Sequence, residues 1–402
     1  MTRIGKARTA LVIGGGIAGP VAAMALRQAG IEATVHEAYD HTADGVGGGM
    51  TIAPNGQDAL DAIGAGELVR AIGTPVTALG LRSWTGKHLA RFAPPARLPV
   101  QQFVWRADLY RAVYDEAERR AVPIHHGKRL TGATDTGSGI TAHFADGTRA
   151  SADILIGADG IRSTVRSLID PAAPRPNYAG LVCFGARLER SGLPSTDGVM
   201  YLCFGKRAFF GYQVFDDSSA MWFVNLPHRA PMTVAEAQSI GAERWMSVLR
   251  EAFADDRVPA LDMISRTDAG QLLITGPMEN MPRVPNWTSG RMTLIGDAAH
   301  AASSSSGQGA SIAAESAVEL ARCLRDLPYD QAFAAYERLR RPRVERIIKL
   351  AARTNSDKTA GPVGRVLRDL LLPASMKLIN PEKMAWQFDH HIDWETSAAQ
   401  AA

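Results

Sequence analysis

Short apolar runs that stop at glycine, each followed by apolar positions at helical spacing, open and close this chain. Thr9 to Ile13 reads as a first strand, and Ala22, Ala25 and Leu26 carry a helix as far as Gly30. Ile31, Ala33 and Val35 then alternate into a second strand ending at Glu37. Near the other end, Met292, Leu294 and Ile295 make a strand that stops at Gly296. Ala313, Ala317, Leu320 and Leu324 follow with helical period, while Glu315, Glu319, Arg322 and Asp326 mark the opposite face. Helices are also predicted over Gln57 to Ile72, through Leu109, Ala112, Val113 and Ala117, and from Leu327 to about Leu372. Ile140, Ala142 and Phe144 alternate, Asp146-Gly147 turns, and a strand returns through Ala150 and Ala152.

The texture changes between Tyr178 and Trp287. Tyr201 to Phe204, Phe209 to Phe215 and Met221 to Leu226 read as antiparallel strands joined at Gly205 and Asp216-Asp217. So many aromatic residues suit the wall of an apolar pocket, with Phe210, Tyr212 and Trp222 as candidate substrate contacts. A period of two leaves open whether Phe210, Tyr212 and Val214 or Phe209, Gln213 and Phe215 face the ligand, and plain core is the competing reading.

The glycines carry the first chemical signal. Gly14, Gly16 and Gly19, with Ala18 among them, follow the first strand directly and form a dinucleotide fingerprint. The first allows a tight turn, the second a close approach to pyrophosphate, and the third close packing of helix on strand. Glu37, followed by Ala38, can take adenosine ribose hydroxyls, so the unit points to FAD or NAD. A second signal is Asp297 at a strand end, then Gly307-Gln308-Gly309 and a helix beginning at Ala310. That arrangement suits a ligand with hydroxyls and an anionic edge. Gly45, Gly47, Gly48 and Gly49 precede Pro54-Asn55, either as a surface loop or as backbone passing near the ligand. Arg106 opposes a helix dipole at its own helix start, which makes sense if it meets a phosphate; a surface ion pair is the alternative. Asp159 can cap the helix that holds Val165 and Leu168, and Arg162 and Arg166 either attract phosphates or are solvated helix charges.

Composition narrows the class. A chain of 402 residues exceeds one ordinary core, and 46% apolar with 21% charged residues is globular. A net charge of +3 gives no footprint for nucleic acid. Five arginines between 338 and 346 alternate with Glu337 and Glu345 and read as a solvated helix face. Cys183, Cys203 and Cys323 are too far apart for a metal site and read as reduced thiols in a cytoplasmic protein. His390 and His391 do not share a helix face, so no metal is expected. Arg3, Lys6 and Arg8 before an apolar stretch imitate a signal peptide, but the glycines inside that stretch and the strand after it argue otherwise.

Gly296-Asp297-Ala-Ala-His300 followed by Gly307-Gln308-Gly309, with the N-terminal fingerprint and Asp159-Gly160, resembles the para-hydroxybenzoate hydroxylase-like (class A) FAD-dependent aromatic monooxygenases, over residues 9 to 350. The resemblance implies an α/β fold: a Rossmann-like FAD-binding domain interrupted by a mixed or antiparallel-sheet substrate domain, with C-terminal helices. The expected division is 1–74, 101–177 and 288–330 for FAD, 75–100 and 178–287 for substrate, and 331–402 for the C-terminal helices and tail. It implies that Asp297 accepts hydrogen bonds from the ribityl chain and that Gly307, Gly309 and Ala310 face the flavin N1–C2=O edge. Gly48 and Gly49 would pass the flavin, Arg106 its phosphate or ribityl end, and Asp159 would lie between FAD and the nicotinamide route.

The implied reaction takes electrons from NADPH or NADH into FAD and inserts one atom of O2, through a flavin hydroperoxide, into an aromatic or polyketide-like small molecule. A monomer or homodimer is expected, without nucleic acid or membrane, and no side chain is named as acid or base. A flavin reductase or dehydrogenase and a non-catalytic FAD or ligand sensor are the alternatives; a halogenase lacks its Trp-x-Trp-x-Ile-Pro signature here. The chain departs from the family at Ala301, Ser304 and Ser316, where relatives favour Pro, Pro and Asp, and no arginine follows the ribose acid between Tyr39 and Asp44. Smaller residues over the flavin face predict leakage, measured as hydrogen peroxide formed per NAD(P)H consumed. Full coupling with a true substrate would refute it.

Overall fold

The computed structural model describes residues 5–41, 47–358, 361–377 and 381–401; Gly45 of the glycine-rich loop lies outside them. Its central sheet has six strands in the order Thr288–Ser289, Met292–Leu294, Ile154–Gly157, Thr9–Ile13, Glu32–His36 and Ile124–His125. All neighbours are parallel except the terminal hairpin of Thr288–Ser289 with Met292–Leu294. Ile154, Leu155 and Ile156 are fully buried, as the middle of a sheet covered on both faces requires. Parallel register has a direct consequence for the site. Ile13 pairs with both Gly157 and His36, and Gly157 pairs with Leu294, so four strands end along one edge. Gly14, Glu37, Ala158 and Ile295 therefore emerge side by side, on the edge where open α/β sheets bind ligands.

A second sheet of seven strands, mostly antiparallel, is built from Leu273–Asn280, Asn177–Leu188, Ala220–Pro227, Phe209–Val214, Val199–Phe204, Ala78–Ser83 and His88–Phe92, in that order. Its two faces differ. Phe210, Tyr212, Val214 and Trp222 pack with Phe184, Trp245 and Phe253 beneath the helices Ala242–Phe253 and Ala260–Arg266. Met200, Met221, Phe215 and Phe223 turn the other way, towards Val76 and towards Phe103 and Trp105 of the nucleotide domain. This corrects the expectation for Phe210, Tyr212 and Trp222. They are core residues on the helix side, and the alternative face, with Gln213 and Phe215, looks towards the nucleotide domain.

The C-terminal region does not stand apart. Helix Tyr329–Lys358 contributes Phe333, Tyr336, Val344 and Ile347 to the same core as the six-stranded sheet, and the tail adds Ile392 and Ala398. The arginine run is a solvated face only in part: Arg338 and Arg346 are exposed, and the other three are not. Arg340 is 0% exposed, and the Arg341 and Arg343 side chains are nearly buried. Helix Gly309–Asp326 lies between this region and helices Ala18–Gln28 and Pro54–Asp61, so its charged face is covered as well as its apolar one. Each charge there finds a partner: Glu315 meets Arg340 and Arg343, and Glu319 meets Arg322 at 2.7 Å. Among the described residues no helix is long and apolar enough to cross a membrane.

Two buried histidines make the fold acid-sensitive. His36 stacks on Phe144 at 4.8 Å, and burial, aided by His125 and Lys128, lowers its pKa to about 4. Burial, aided by Arg340, lowers that of His300 to about 3. Both groups are neutral in the folded chain and take up protons near pH 6.5 when it unfolds, so stability falls as pH drops through that value towards 4. Each contributes a slope of about 1.4 kcal/mol per pH unit in that window. Urea midpoints measured at pH 7.5 and pH 5 should show the loss, and His36→Leu should make it shallower. Equal midpoints would contradict the assignment.

Candidate functional site

The first turn divides its glycines by what a side chain would strike. Gly14 has φ +106°, and a Cβ there would lie 2.4 Å from the Ala158 carbonyl oxygen. A Cβ on Gly19 would lie 1.9 Å from the Gly14 oxygen, so helix and strand touch backbone to backbone. A Cβ on Gly16 or Gly309 would meet nothing within 4 Å. Of the glycines expected near the ligand, Gly16 and Gly309 open into space, whereas a Cβ on Gly307 would lie 3.3 Å from Thr51 Oγ1. The two glycine turns also adjoin each other: Gly296, at φ +55°, would place a Cβ 3.1 Å from that of Ala18.

Glu37 is buried under the first turn, where it accepts hydrogen bonds from the Gly15 amide at 2.5 Å and the Tyr39 amide at 2.9 Å. Ala38 beside it is half-buried. The Tyr114 hydroxyl approaches the same turn and accepts from Tyr110 at 2.6 Å. These tyrosines line a cavity of about 430 Å³ between helix Arg106–Arg119 and strand Ile124–His125. Two basic residues of a distant segment lie beside the stretch that follows Glu37. The Lys128 amide donates to the Glu37 carbonyl at 2.7 Å, and Arg129 lies 5.5 Å from the Tyr39 ring centre. Only the fold could show this, because about ninety residues separate them.

Asp297 begins a single helical turn, Asp297–His300, whose other members are buried. Its side chain is reached by solvent yet enclosed by protein, as on the floor of a cleft. That enclosure raises its pKa, and the Arg106 guanidinium acts in the opposite direction. Arg106 itself is exposed, and its amide donates to Gly48 O at 3.1 Å, so the glycine-rich loop, Arg106 and Asp297 meet at one place. A Cβ on Gly48 would lie 4.0 Å from Thr275 of the second sheet, while one on Gly49 would strike the Phe103 ring. Past Asp297, Ser304–Ser306 forms a short 3-10 turn held by the Ser306 hydroxyl, which donates to Ser303 O and accepts from the Gln308 amide. Gly307 follows at φ +60°, and Ala310 is half-buried in the first turn of the long helix.

Asp159 spends its carboxylate on its own chain. It accepts from the Thr164 and Val165 amides at 2.7 and 3.1 Å and from the Ser163 hydroxyl, so it braces the helix although Ser163 is the capping residue. Arg166 is buried and donates to Ala298 O and Ile161 O, which ties this segment to the Asp297 turn. Arg162 pairs with Glu279 at the surface. On the sheet face that packs with Phe103 and Trp105, Phe223 is stacked over Gly211, and on the same strand the Asn225 amide donates to Cys183 Sγ at 3.3 Å. Arg187 lies 5.8 Å from the Trp105 ring centre at the rim. Among the described residues no cluster of three or more His, Cys, Asp or Glu side chains could hold a metal.

The glycine geometry separates ligand from fold. Gly16→Val should leave stability nearly unchanged and abolish FAD binding, because its side chain enters only open space. Gly19→Ala should instead destabilise the apo-chain, as overpacking costs about 1–3 kcal/mol or more. Flavin content and urea midpoints check both; a yellow, fully loaded Gly16→Val protein would contradict the placement of the cofactor.

A family profile described as an FAD binding domain matches residues 7–351. An FAD-dependent urate hydroxylase of Klebsiella pneumoniae is 30% identical over 88% of this chain and 90% of its own. A 3-amino-4-hydroxybenzoate 2-monooxygenase of Streptomyces platensis is 31% identical over 96% of this chain and 97% of its own. A variant of Klebsiella pneumoniae HpxO crystallised with FAD superposes with a TM-score of 0.82 at 25% identity, over 95% of this chain and 98% of that one. With the fingerprint, the Asp297 turn and the aromatic sheet in one fold, the chain belongs to the FAD-dependent flavoprotein monooxygenases of the aromatic hydroxylase class.

Proposed function

We propose that this enzyme hydroxylates a small electron-rich aromatic or heteroaromatic molecule, with NADH or NADPH as reductant and O2 as co-substrate. The observation that carries the reading is an open glycine-and-aspartate edge beside an apolar sheet face. Gly16 and Gly309 open into space and Asp297 is exposed near Arg106, while Met221 and Phe223 pack with Phe103 and Trp105, on the strand that adjoins Gly49 and leads into Arg106. The relatives support the substrate class by name: one acts on urate and another on an aminohydroxybenzoate, both flat and electron-rich rings.

Bound FAD supplies the redox chemistry, receiving electrons from the nicotinamide and passing one oxygen atom from O2 to the substrate. The chain's own residues hold and shield it. Gly14 to Gly19 and the Ala18–Gln28 helix N-terminus receive the pyrophosphate, and Glu37 takes the ribose once its carboxylate exchanges backbone amides for hydroxyls. Asp297 accepts from the ribityl hydroxyls, while Arg106 offsets its charge. The amides that begin helix Gly309–Asp326 favour negative charge on the flavin edge, an effect of about 0.3–2 kcal/mol. Phe223, Met221 and Trp105 exclude water and stack the ring; Arg187 at the rim suits an acidic or carbonyl edge of the substrate. Protein in the cytoplasm, acting as monomer or homodimer, fits this chemistry.

Substrate-stimulated NAD(P)H oxidation in a screen of aromatic compounds, followed by product analysis under ¹⁸O2, tests the reaction. Incorporation of one labelled atom is expected; turnover without label would favour a dehydrogenase. The two sheet faces give a second check. Phe223→Ala should raise KM for the aromatic substrate about tenfold or more with FAD content intact, since a ring contact is worth about 0.5–1.5 kcal/mol beyond its buried area. Phe210→Ala should mainly lower stability, by about 3–5 kcal/mol. The reverse pattern would contradict the assignment of faces.

A further inference from the structure

The turn that faces the flavin is held from behind by a closed ring of hydrogen bonds that reaches the C-terminal tail. Gln308 is the middle residue of that turn, and its side chain points into the protein, where it is 1% exposed. Its Oε1 accepts from Asn55 Nδ2 at 3.1 Å, and the same Asn55 nitrogen donates to Glu315 Oε1 at 2.5 Å. Arg343 grips Glu315 with Nε on Oε2 and Nη2 on Oε1, both at 2.9 Å. Arg343 also donates to the carbonyls of Trp386 at 2.6 Å and Gln387 at 3.0 Å. Gln308 Nε2 closes the circuit by donating to the same Gln387 carbonyl at 3.4 Å.

The tail that supplies those carbonyls is a strap with anchors of its own. Asp58 accepts from His391 Nδ1 at 2.6 Å and from the Ile392 amide at 2.9 Å. Farther on, Arg322 donates to Thr396 O, Arg325 donates to Trp394 O, and the Ala398 amide donates to Asp326. These later contacts lie at the far end of helix Gly309–Asp326 from the turn.

We propose that Arg343 is a positioning residue for the flavin. It locks the strap onto Glu315, and through Asn55 and Gln387 it fixes the Gln308 side chain and so the direction of the amides in the Gly307–Gly309 turn. A planar guanidinium is required because it makes a two-pronged bond to a carboxylate while serving two carbonyls; an ammonium cannot hold all four in one geometry. Ring closure explains why the tail matters to a site that it does not line. If the Gln387 carbonyl moves, Gln308 and Arg343 lose a shared acceptor together, and the cost of an unmet buried donor resists that motion. The inference rests on the family's use of FAD and is independent of the substrate proposed above.

The test uses full-length protein loaded with FAD and compares Arg343→Met, Arg343→Lys, Gln308→Met and Arg325→Ala. The readouts are the FAD dissociation constant, from flavin fluorescence, and the two-electron midpoint potential. Gln308→Met opens the ring at the turn without touching the ion pair, so it decides the question if Arg343→Met does not fold. Arg343→Met and Gln308→Met should each weaken FAD about tenfold and make the potential more negative, as misaligned amides stabilise reduced flavin less. Arg343→Lys should recover part of the shift, and Arg325→Ala, which frees only the far end of the strap, should stay within twofold of the parent. A parental midpoint potential in the folded Gln308→Met and Arg343 variants, whatever their melting temperatures, would overturn the proposal.

Discussion

The whole site depends on the contact between two pieces of backbone, the Gly14 carbonyl and the Cα of Gly19. A Cβ at Gly19 would approach that oxygen to 1.9 Å, so only hydrogen fits there. This contact seats helix Ala18–Gln28 on strand Thr9–Ile13 and aims its free N-terminal amides across the sheet edge. The Asp297 turn is positioned by the same packing, because a Cβ on Gly296 would lie 3.1 Å from that of Ala18 and 3.4 Å from that of Ala313. Two helix N-termini thereby come to one trough, and both offer partial positive charge to a ligand with phosphates at one end and an anionic ring edge at the other.

Helix Gly309–Asp326 carries that constraint to the rest of the molecule. Alanine and serine along it allow the helices at Ala18–Gln28 and Pro54–Asp61 to approach closely, and Ala53 donates its amide to Ser311 Oγ at 3.0 Å. The other side pairs the buried Glu315 with Arg340 and Arg343 of helix Tyr329–Lys358, and Glu319 with Arg322 of its own helix. A buried ion pair gains little net energy against an apolar one of equal volume, but removing one partner costs about 3–5 kcal/mol. Such pairs therefore fix geometry more than they add stability. Ser316 illustrates the local balance. Its hydroxyl joins His300 Nε2 at 2.8 Å and Arg340 Nε at 3.3 Å, so the buried neutral imidazole meets an uncharged partner.

Much of this was legible in the residues themselves. Gly14, Gly16, Gly19, Glu37 and Asp297 announce themselves because backbone approach and ligand charge demand particular residue types at particular spacings. Helical period also located the helix after Gly309. It misjudged what covers the polar face, because Glu315, Glu319 and Arg322 look the same whether they meet water or buried partners. Arg340 and Arg343 misled for the same reason: their partner Glu315 lies in a segment far away along the chain, whereas Arg341 does pair with Glu337 and Glu345 beside it. Strand alternation split Phe210, Tyr212 and Val214 cleanly from Phe209, Gln213 and Phe215, yet nothing local says which face the helix at Ala242–Phe253 will cover. Lys128 and Arg129, which stand near Glu37, and the strap at Trp386 and Gln387 left no motif at all.

The central claim is that three separated turns make one preformed site for a single FAD. Thermal unfolding of flavin-free protein, with and without FAD, tests it most directly. One FAD per chain and a clear rise in melting temperature are expected, since ligand at a hundred times its dissociation constant stabilises by about 2.7 kcal/mol. A chain that stays colourless after incubation with FAD, and melts at the same temperature in its presence, would contradict the account.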